Sequence, residues 1–269
     1  MAIDGLRRLE LWARLGYAAR GFVYLLLGWI ALSTGRALSA DEAVAEVERL
    51  PAAPLLLAFL AAGLFGYALF KLYSAAIDLN HKGDDSKGRL VRLGSALGGL
   101  AYIALAWVAL KLLLDKPQSS GGGEGAASEM AKASGGDALL LIAALVVIGV
   151  AIAQFMIAWK AKFMDEMSGS PSWVRPLGRL GYAARALVIA IIGWFLLKAA
   201  LAGERVRDFG EALALLKGEN DWLFLLVAAG LVAFGITSLM MARYRRIEDR
   251  DMVDDLEQGV EKAKASVKS

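Results

Sequence analysis

Residues 14–20 read Arg-Leu-Gly-Tyr-Ala-Ala-Arg, and the same seven residues return at positions 179–185. The match continues beyond the motif, because Gly28-Trp29 and Gly193-Trp194 stand at the same offset from it. Self-similarity at a long period is typical of duplicated supersecondary units. The sequence therefore predicts that the chain is built from copies of one structural unit.

A third, degenerate copy lies between these two. It begins at positions 92–94 as Arg-Leu-Gly, and its Trp107 is in register with Trp29 of the first copy. Two motif residues differ, since Ser95 replaces the tyrosine and Gly98 replaces the second arginine. Any role of those two motif positions is therefore not three-fold.

Each copy begins a pair of long hydrophobic segments. The chain has 269 residues, of which 58% are hydrophobic, and a helix needs roughly 20 apolar residues to cross about 30 Å of hydrocarbon. The candidate spans are Leu15–Leu32, Pro54–Ile77, Leu93–Leu114, Ala138–Trp159, Leu180–Leu201 and Trp222–Ala242. The predicted fold is an all-α integral membrane bundle of six transmembrane helices.

The spans group into three two-helix repeats. These are residues 1–90, 91–170 and 171–247, and a charged tail follows at 248–269. Because each repeat holds two spans, all three copies enter the membrane in the same direction. We expect a pseudo-three-fold axis along the membrane normal, in contrast to inverted repeats.

The loops predict the orientation of the bundle. The N-terminal segment, the loops after the second and fourth spans and the start of the tail hold more Lys and Arg than the three opposite loops. Under the positive-inside rule, the side rich in these residues faces the cytoplasm. We therefore expect both termini to be cytoplasmic.

Two of the outer loops have the pattern of short amphipathic helices. Ser39 and Glu42 have the spacing of a capping box, and apolar residues follow at helical spacing up to Pro51. The third outer loop repeats the pattern between Asp208 and Gly218. We expect both helices to lie on the outer membrane surface or to cap the bundle. The middle outer loop is rich in glycine and serine, and the tail is either a short helix or a solvated segment.

Small residues recur along one face of the first, third and fifth spans. In lipid, where dispersion rather than hydrophobic exclusion favours association, glycine at this spacing lets helix backbones approach closely. The predicted helix-packing positions are Gly16, Gly28, Gly94, Gly98, Gly181 and Gly193. The alternative is that this face lines a path through the bundle.

The second arginine of the motif is the sharpest candidate for a functional residue. Arg20 and Arg185 each lie about six residues, or roughly 9 Å, inside the start of a span. An arginine at mid-bilayer costs roughly 2.5–3.5 kcal/mol on insertion scales. Either these arginines snorkel to the headgroups, or they bind an anion or a lipid phosphate, or they form buried ion pairs. Asp78 and Asp165 end their spans on the same side and are the candidate partners.

Other repeated positions are less specific. Three tryptophans stand at equivalent places in the odd spans, at Trp29, Trp107 and Trp194. They are interfacial anchors, core residues or a ring around a solute. In the even spans, Tyr67, Gln154 and Phe234 roughly correspond, which leaves Lys71 and Gln154 at non-equivalent positions. That mixture is not typical of a selectivity filter.

The composition argues against several chemistries. The chain has no cysteine and one histidine, His81, which excludes disulfides, thiolate clusters and bis-histidine haem. We find no metal-ligand cluster, nucleophile elbow or phosphate loop, and so expect no catalytic residue, metal or cofactor. The expected partners are the lipid bilayer, including anionic headgroups, and a membrane protein or a second copy of the chain. Nothing indicates a nucleic-acid partner.

The repeated residues resemble those of a bacterial membrane family, domain of unknown function 1206. The resemblance rests on Arg-Leu-Gly-Tyr-Ala-Ala-Arg, the later Gly-Trp pair and, in the even spans, Gly-Leu followed by an aromatic residue. It implies three tandem two-helix transmembrane repeats and a location in the bacterial inner membrane. It implies no activity.

Three classes of function stay open at this point. The sequence favours a non-enzymatic accessory or membrane-organising protein that acts through protein or lipid contacts. The alternative is a small-solute or ion transporter or channel that uses the pseudo-three-fold axis. A lipid-modifying enzyme is the least favoured class. A polar cavity along the axis would favour transport, whereas a dry, glycine-packed axis would favour association.

Overall fold

In the computed structural model, residues 2–76, 86–114, 136–203 and 209–245 are described, and they are helical over most of their length. The helices are α1 (Ala2–Thr34), α2 (Ala40–Glu46), α3 (Ala53–Ala76), α4 (Ser86–Leu113), α5 (Gly136–Lys160), α6 (Val174–Ala202), α7 (Phe209–Glu219) and α8 (Asp221–Tyr244). The middle outer loop and the charged tail of the sequence prediction lie outside the described residues.

The six long helices match the six predicted spans. Each is long and apolar enough to cross a membrane, and helices satisfy all their internal backbone hydrogen bonds without water. The three repeated tryptophans are on the outside of the bundle, with 67%, 57% and 54% of Trp29, Trp107 and Trp194 exposed. They therefore face lipid, and the interpretation as a ring around a solute is wrong.

The spans pair into three hairpins and form an open ring. The first hairpin is α1 and α3, the second is α4 and α5, and the third is α6 and α8. Going round the bundle, α4 packs on α3, α3 on α1, α1 on α8, α8 on α6, and α6 on α5. Over the described residues, α4 and α5 do not pack closely enough to close the ring.

Matching glycine contacts demonstrate the repeat between neighbouring hairpins. A Cβ built on Gly28 would lie 2.7 Å from the backbone nitrogen of Val232, and one on Gly193 would lie 3.2 Å from that of Ile148. These close approaches, which only glycine permits, give the same register at equivalent interfaces.

The same comparison within hairpins separates the second from the other two. A Cβ on Gly16 would lie 2.8 Å from the Cα of Tyr67, and one on Gly181 would lie 2.5 Å from the nitrogen of Phe234. The equivalent Gly94 meets only a methyl group of Val150, at 4.0 Å. Gly94 therefore lacks the tight interhelical contact of its two counterparts, and a Cβ on Gly98 would meet only the side chain of Lys71.

Larger side chains explain why the second hairpin is parted, that is, why α4 and α5 do not pack closely on each other. Gly63 faces Ala19 in the first hairpin, and Gly230 faces Ala184 in the third. By the register of these contacts, the second hairpin has Val146 and Leu97 at those two positions. Leu97 is 41% exposed, whereas Ala19 is fully buried. A valine and a leucine cannot fit in the space of a glycine and an alanine, so the helices stand apart.

The two short helices meet at the end of the bundle where α1 ends. Helix α2 begins with the predicted capping box between Ser39 and Glu42, which confirms that prediction. A Cβ on Gly210 of α7 would lie 2.8 Å from the backbone nitrogen of Ser39. The Lys217 ammonium donates a hydrogen bond to the carbonyl of Gly35 at 2.8 Å. Helix α2 packs on α1 and α4, and α7 packs on α6 and α8, so the two short helices cap this end of the bundle.

Candidate functional site

Arg20 is the most buried charge of the described residues, with only 5% of its surface exposed. Its Nη1 donates a hydrogen bond to the hydroxyl of Tyr67 at 2.7 Å, and its Nε donates one to Ser238 at 3.2 Å. Its Nη2 lies 3.6 Å from the sulfur of Met241. These partners come from α3 and α8, so Arg20 links three helices and does not snorkel.

Aromatic rings surround the guanidinium of Arg20. Its Cζ lies 4.7 Å, 5.1 Å and 4.9 Å from the ring centroids of Tyr17, Tyr67 and Phe234. Tyr17 and Tyr67 also pack edge to face, with centroids 5.0 Å apart. Ring faces attract cations, and the attraction is stronger where water is excluded. The aromatic shell therefore stabilises a charge that lipid alone would not accept.

Arg185 lies on the other side of the Phe234 ring from Arg20 and makes fewer contacts than Arg20 does. Its Cζ is 5.1 Å from the Phe234 ring centroid, and its Nε donates a hydrogen bond to the hydroxyl of Tyr24 at 2.9 Å. Tyr24 belongs to α1, so this bond crosses the interior of the bundle. Arg185 is nevertheless only half-buried. Arg185 is therefore less enclosed than Arg20, of which only 5% is exposed.

Neither arginine has an acidic partner among the described residues. Residues 11–34, 53–76, 92–113, 138–159, 174–202 and 222–244, which span the membrane, contain no Asp or Glu. Asp165 is exposed just after the short 3₁₀ helix Lys162–Met164, away from the rings that hold Arg185. Asp78 lies outside the described residues. The geometry therefore gives no support to an ion pair with Asp165.

The missing arginine of the second copy has a substitute. The Nζ of Lys71 lies 3.9 Å from the position of a Cβ on Gly98. The same Nζ lies 5.9 Å from the centroid of the Tyr67 ring, which also contacts Arg20. A lysine from α3 thus occupies the space that a side chain at position 98 would enter. The positive charge has moved to the neighbouring helix.

The glycine contacts also correct the predicted register of the even spans. Because Ile148 takes the place of Val232, the residue that corresponds to Phe234 is Val150 and not Gln154. Gln154 instead corresponds to Lys71 and Ser238. The prediction that Lys71 and Gln154 are not equivalent is therefore wrong. The fourth span has few polar residues to align, which is why the sequence placed it four residues off.

The first arginine of the motif forms a second, more superficial set of contacts. Arg179 donates a hydrogen bond to the carbonyl of Trp159 at 3.0 Å. Arg92 donates to the carbonyls of Ala75 and Ala76 at 2.7 Å and 2.9 Å. Each arginine therefore binds carbonyls at the C-terminal end of the preceding even span, where the helix dipole is negative.

Each of these contacts lies in a groove on the bundle surface. The α5/α6 groove has a volume of about 410 Å³ and is lined by Phe155, Ala158, Trp159, Arg179 and Ala183. The α3/α4 groove has a volume of about 510 Å³ and is lined by Leu72, Ala75, Ala76, Arg89, Arg92, Leu93 and Ala96. In the register that the glycine contacts give, all five lining residues of the α5/α6 groove have counterparts in the α3/α4 groove. The repeat therefore presents the same arginine-bearing apolar groove twice.

Arg245 closes the same end of the bundle, and the sequence placed it only within the basic cluster at the start of the tail. Its Nη1 forms a salt bridge of 2.8 Å with Glu166, which precedes α6. Its Cζ lies 4.9 Å and 5.0 Å from the ring centroids of Tyr17 and Phe70. Burial lowers the pKa of Arg245 to about 10, so it stays charged at neutral pH. We call this arginine-rich end, where α3, α5 and α8 terminate, the basic end.

Fold and site together define a helical membrane protein of three two-helix repeats with a cationic, aromatic core. The chain belongs to the family described as Domain of Unknown Function (DUF1206), whose profile matches residues 15–78, 93–161 and 180–245. The three matches end in the same register that the glycine contacts give. An uncharacterized protein YxxB of Bacillus subtilis (strain 168) is 32% identical over 254 residues, which cover 87% of this chain and 90% of that protein. No solved structure matches the chain.

Proposed function

We propose that this protein is a non-enzymatic membrane-organising protein that binds anionic phospholipids in the grooves of its basic end. The observation that supports this function is the repeated groove, in which an arginine stands beside an apolar wall open to lipid. Phe155 and Trp159, both exposed, form part of that wall in the α5/α6 groove. An acyl chain fits such a wall, and a phosphate fits the guanidinium above it.

The charge distribution supports an anionic lipid over a neutral one. Arg179 is exposed beyond its single hydrogen bond to Trp159, so other N–H groups of its guanidinium remain directed to the surface. Arg89 adds a second positive charge to the α3/α4 groove. A basic residue near an anionic leaflet contributes about 1 kcal/mol. Under the positive-inside expectation, the basic end faces the cytoplasmic leaflet, where such lipids are available.

The packing of the axis favours contact over transport. Tyr67 and Phe234 are fully buried at the centre of the bundle, and the guanidinium of Arg20 lies between them. An aromatic core with a cation held by three partners is an arrangement that stabilises one conformation. Helix packing by glycine in the first and third hairpins agrees with a protein that acts through its surface.

Lipid binding is tested on the full chain purified in mild detergent. Native mass spectrometry would count bound phosphatidylglycerol and phosphatidylcholine for the wild type, Arg179→Gln, Arg92→Gln and the double variant. We expect phosphatidylglycerol to bind preferentially and each substitution to weaken one site about fivefold, the equivalent of about 1 kcal/mol.

Arg175→Gln is the matched control, because Arg175 is exposed in the first turn of the same helix but does not line the groove. The control should retain the wild-type lipid count. Equal binding of both lipids, or an unchanged count in the double variant, would exclude the groove arginines as the lipid site and with them this function.

A further inference from the structure

We propose that the interior of the bundle holds a binding site for an oxyanion, formed by Arg185, Lys71 and Gln154 on the side of the parted second hairpin. This site is separate from the surface grooves. It lies deeper in the membrane and uses the second arginine of the motif, not the first.

Uncompensated charge is the first argument. Arg20, Arg185 and Lys71 bring three positive charges deep into the spans, and residues 11–34, 53–76, 92–113, 138–159, 174–202 and 222–244 contain no carboxylate. Arg20 has two hydrogen bonds, a sulfur contact and three aromatic rings around it. Arg185 has one hydrogen bond and two rings, at 5.5 Å and 5.1 Å. Charged groups inside a membrane normally pair, so a counter-charge is expected beside Arg185.

The polar residues of one layer are the second argument. Lys71, Gln154 and Ser238 are equivalent by repeat, and Ser238 is the residue that accepts a hydrogen bond from Arg20. Gln154 therefore stands at the position that faces Arg185 across the next interface. Its Oε1 is buried and has no hydrogen-bond partner among the described residues. Turning the amide would direct its N–H₂ group, instead of its oxygen, at an anion.

The parted hairpin supplies the space. Tyr67 and Phe234 fill the centre from the first and third hairpins, whereas the equivalent residue of the second hairpin is Val150, which is smaller and only half-buried. On the side of Val150, Arg185 therefore has no aromatic ring, whereas Arg20 has a ring on both sides. The lower burial of Arg185 than of Arg20 agrees with this gap. An anion that enters between α4 and α5 would reach both Arg185 and Lys71.

The chemistry of these groups selects an oxyanion with several acceptor oxygens. A guanidinium binds two oxygens of a phosphate in parallel, an ammonium adds a point charge, and an amide donates to a third oxygen. A phosphate group satisfies this set. It would come either from a lipid headgroup that enters sideways between the parted helices or from free phosphate.

The test is thermal unfolding of the full chain in detergent, followed by tryptophan fluorescence. It is run in the Arg92→Gln/Arg179→Gln variant, so that binding of the probes in the surface grooves does not contribute to the result. The probes are inorganic phosphate and dioctanoyl phosphatidic acid, each compared with chloride at equal ionic strength. We expect at least one probe to raise the unfolding midpoint by roughly 5 °C at saturation.

Variants then locate the site. Lys71→Gln and Gln154→Leu should abolish the rise, and Val150→Phe should abolish it by filling the gap even if it makes the protein more stable. Lys198→Gln, in the same span as Arg185 but three turns further along, should retain it. A rise with both probes indicates free phosphate, and a rise with the lipid alone indicates a headgroup; either result supports the site. No rise with either probe, or a rise that every variant keeps, would overturn the proposal.

Discussion

At the scale of single residues, the guanidinium of Arg20 depends on hydroxyl groups and rings because no carboxylate is near it. A neutral partner costs less to bury than a second charge, since only one ion has to leave water. The hydrogen bond to the hydroxyl of Tyr67 is the shortest contact of Arg20, at 2.7 Å. Ser238 binds Arg20 while its own hydroxyl donates to the carbonyl of Phe234 at 2.9 Å. The result is a small network that joins α1, α3 and α8.

We predict that Tyr67→Phe destabilises the protein by about 1–3 kcal/mol, because it leaves a buried guanidinium N–H without its acceptor. The aromatic ring, and hence the cation–π contact, is retained. Tyr73→Phe on the same helix is the control, since Tyr73 is exposed. The measurement is the thermal unfolding midpoint in one detergent. Equal midpoints for the two variants would mean that the hydroxyl does not stabilise Arg20.

The salt bridge at the basic end makes a second prediction. Glu166→Gln removes the carboxylate that lies 2.8 Å from the buried Arg245, and we expect a loss of about 1 kcal/mol, because Glu166 itself is partly exposed. Asp165→Asn removes the same charge from the adjacent exposed residue and should change little. Chemical unfolding of both variants checks this difference. If both lose the same stability, net charge and not the ion pair is responsible.

At the scale of helices, glycine decides how closely the two spans of a hairpin approach. The first and third hairpins use the pairs Gly16–Tyr67 and Gly181–Phe234, where backbone atoms of one helix touch the other. The second hairpin retains the glycine, Gly94, but has lost the close contact. The same residue type at equivalent positions therefore has different consequences, which depend on its neighbours.

This difference predicts the effect of adding one methyl group. Gly16→Ala should destabilise the protein by about 1–3 kcal/mol, because the new Cβ would collide with the backbone of Tyr67. Gly94→Ala should be within about 0.5 kcal/mol of the wild type, because its nearest neighbour is 4.0 Å away. Thermal unfolding of the two variants in parallel is the measurement. Similar losses in both would show that Gly94 is packed as tightly against α5 as Gly16 is against α3.

The cause of the parting can be tested directly. Leu97→Ala/Val146→Gly restores the small residues of the other hairpins, so we expect α4 and α5 to close. Since the chain has no cysteine, a Gly94→Cys/Val150→Cys pair reports the approach through disulfide formation, which requires Cβ atoms within about 4.5 Å. Cross-linking should increase several-fold in the restored background. Leu100→Ala, at an exposed position of α4, should leave it unchanged.

The sequence predicted the helices well and the contacts between side chains of different helices less well. Length, apolar blocks and the repeated motif were enough to predict six helices and three hairpins, because each depends on local composition. The capping box at Ser39 was equally local. Arg20 was recognisable by its depth in the span, but Tyr67 and Ser238 were not, since they are distant in sequence. The equivalence of Lys71 and Gln154 required the contacts of Gly28 and Gly193, because α5 has too few distinctive residues to align.

At the scale of the whole molecule, the departures from the three-fold repeat all fall in the second repeat. The second repeat lacks the tyrosine at Ser95, the arginine at Gly98 and the aromatic residue at Val150, and its helices are parted. The charge missing from Gly98 returns at Lys71 on the neighbouring helix. A ring of six helices that is closed at five interfaces thus keeps one opening, between α4 and α5, where its interior meets lipid.

The direction of this ring in the membrane decides which leaflet its grooves meet, and it makes the last prediction. The grooves, Arg245 and the ends of α3, α5 and α8 share one end of the bundle, and α2 and α7 cap the other. Because basic residues are concentrated at the former, we expect it to face the cytoplasm. With no native cysteine to interfere, Ser172→Cys reports the basic end and Glu48→Cys the opposite end, both exposed. A membrane-impermeant maleimide should label only Glu48→Cys in intact cells and both variants after lysis. Labelling of Ser172→Cys in intact cells would place the grooves in the other leaflet, where the supply of anionic lipid that the proposed function requires would have to be shown independently.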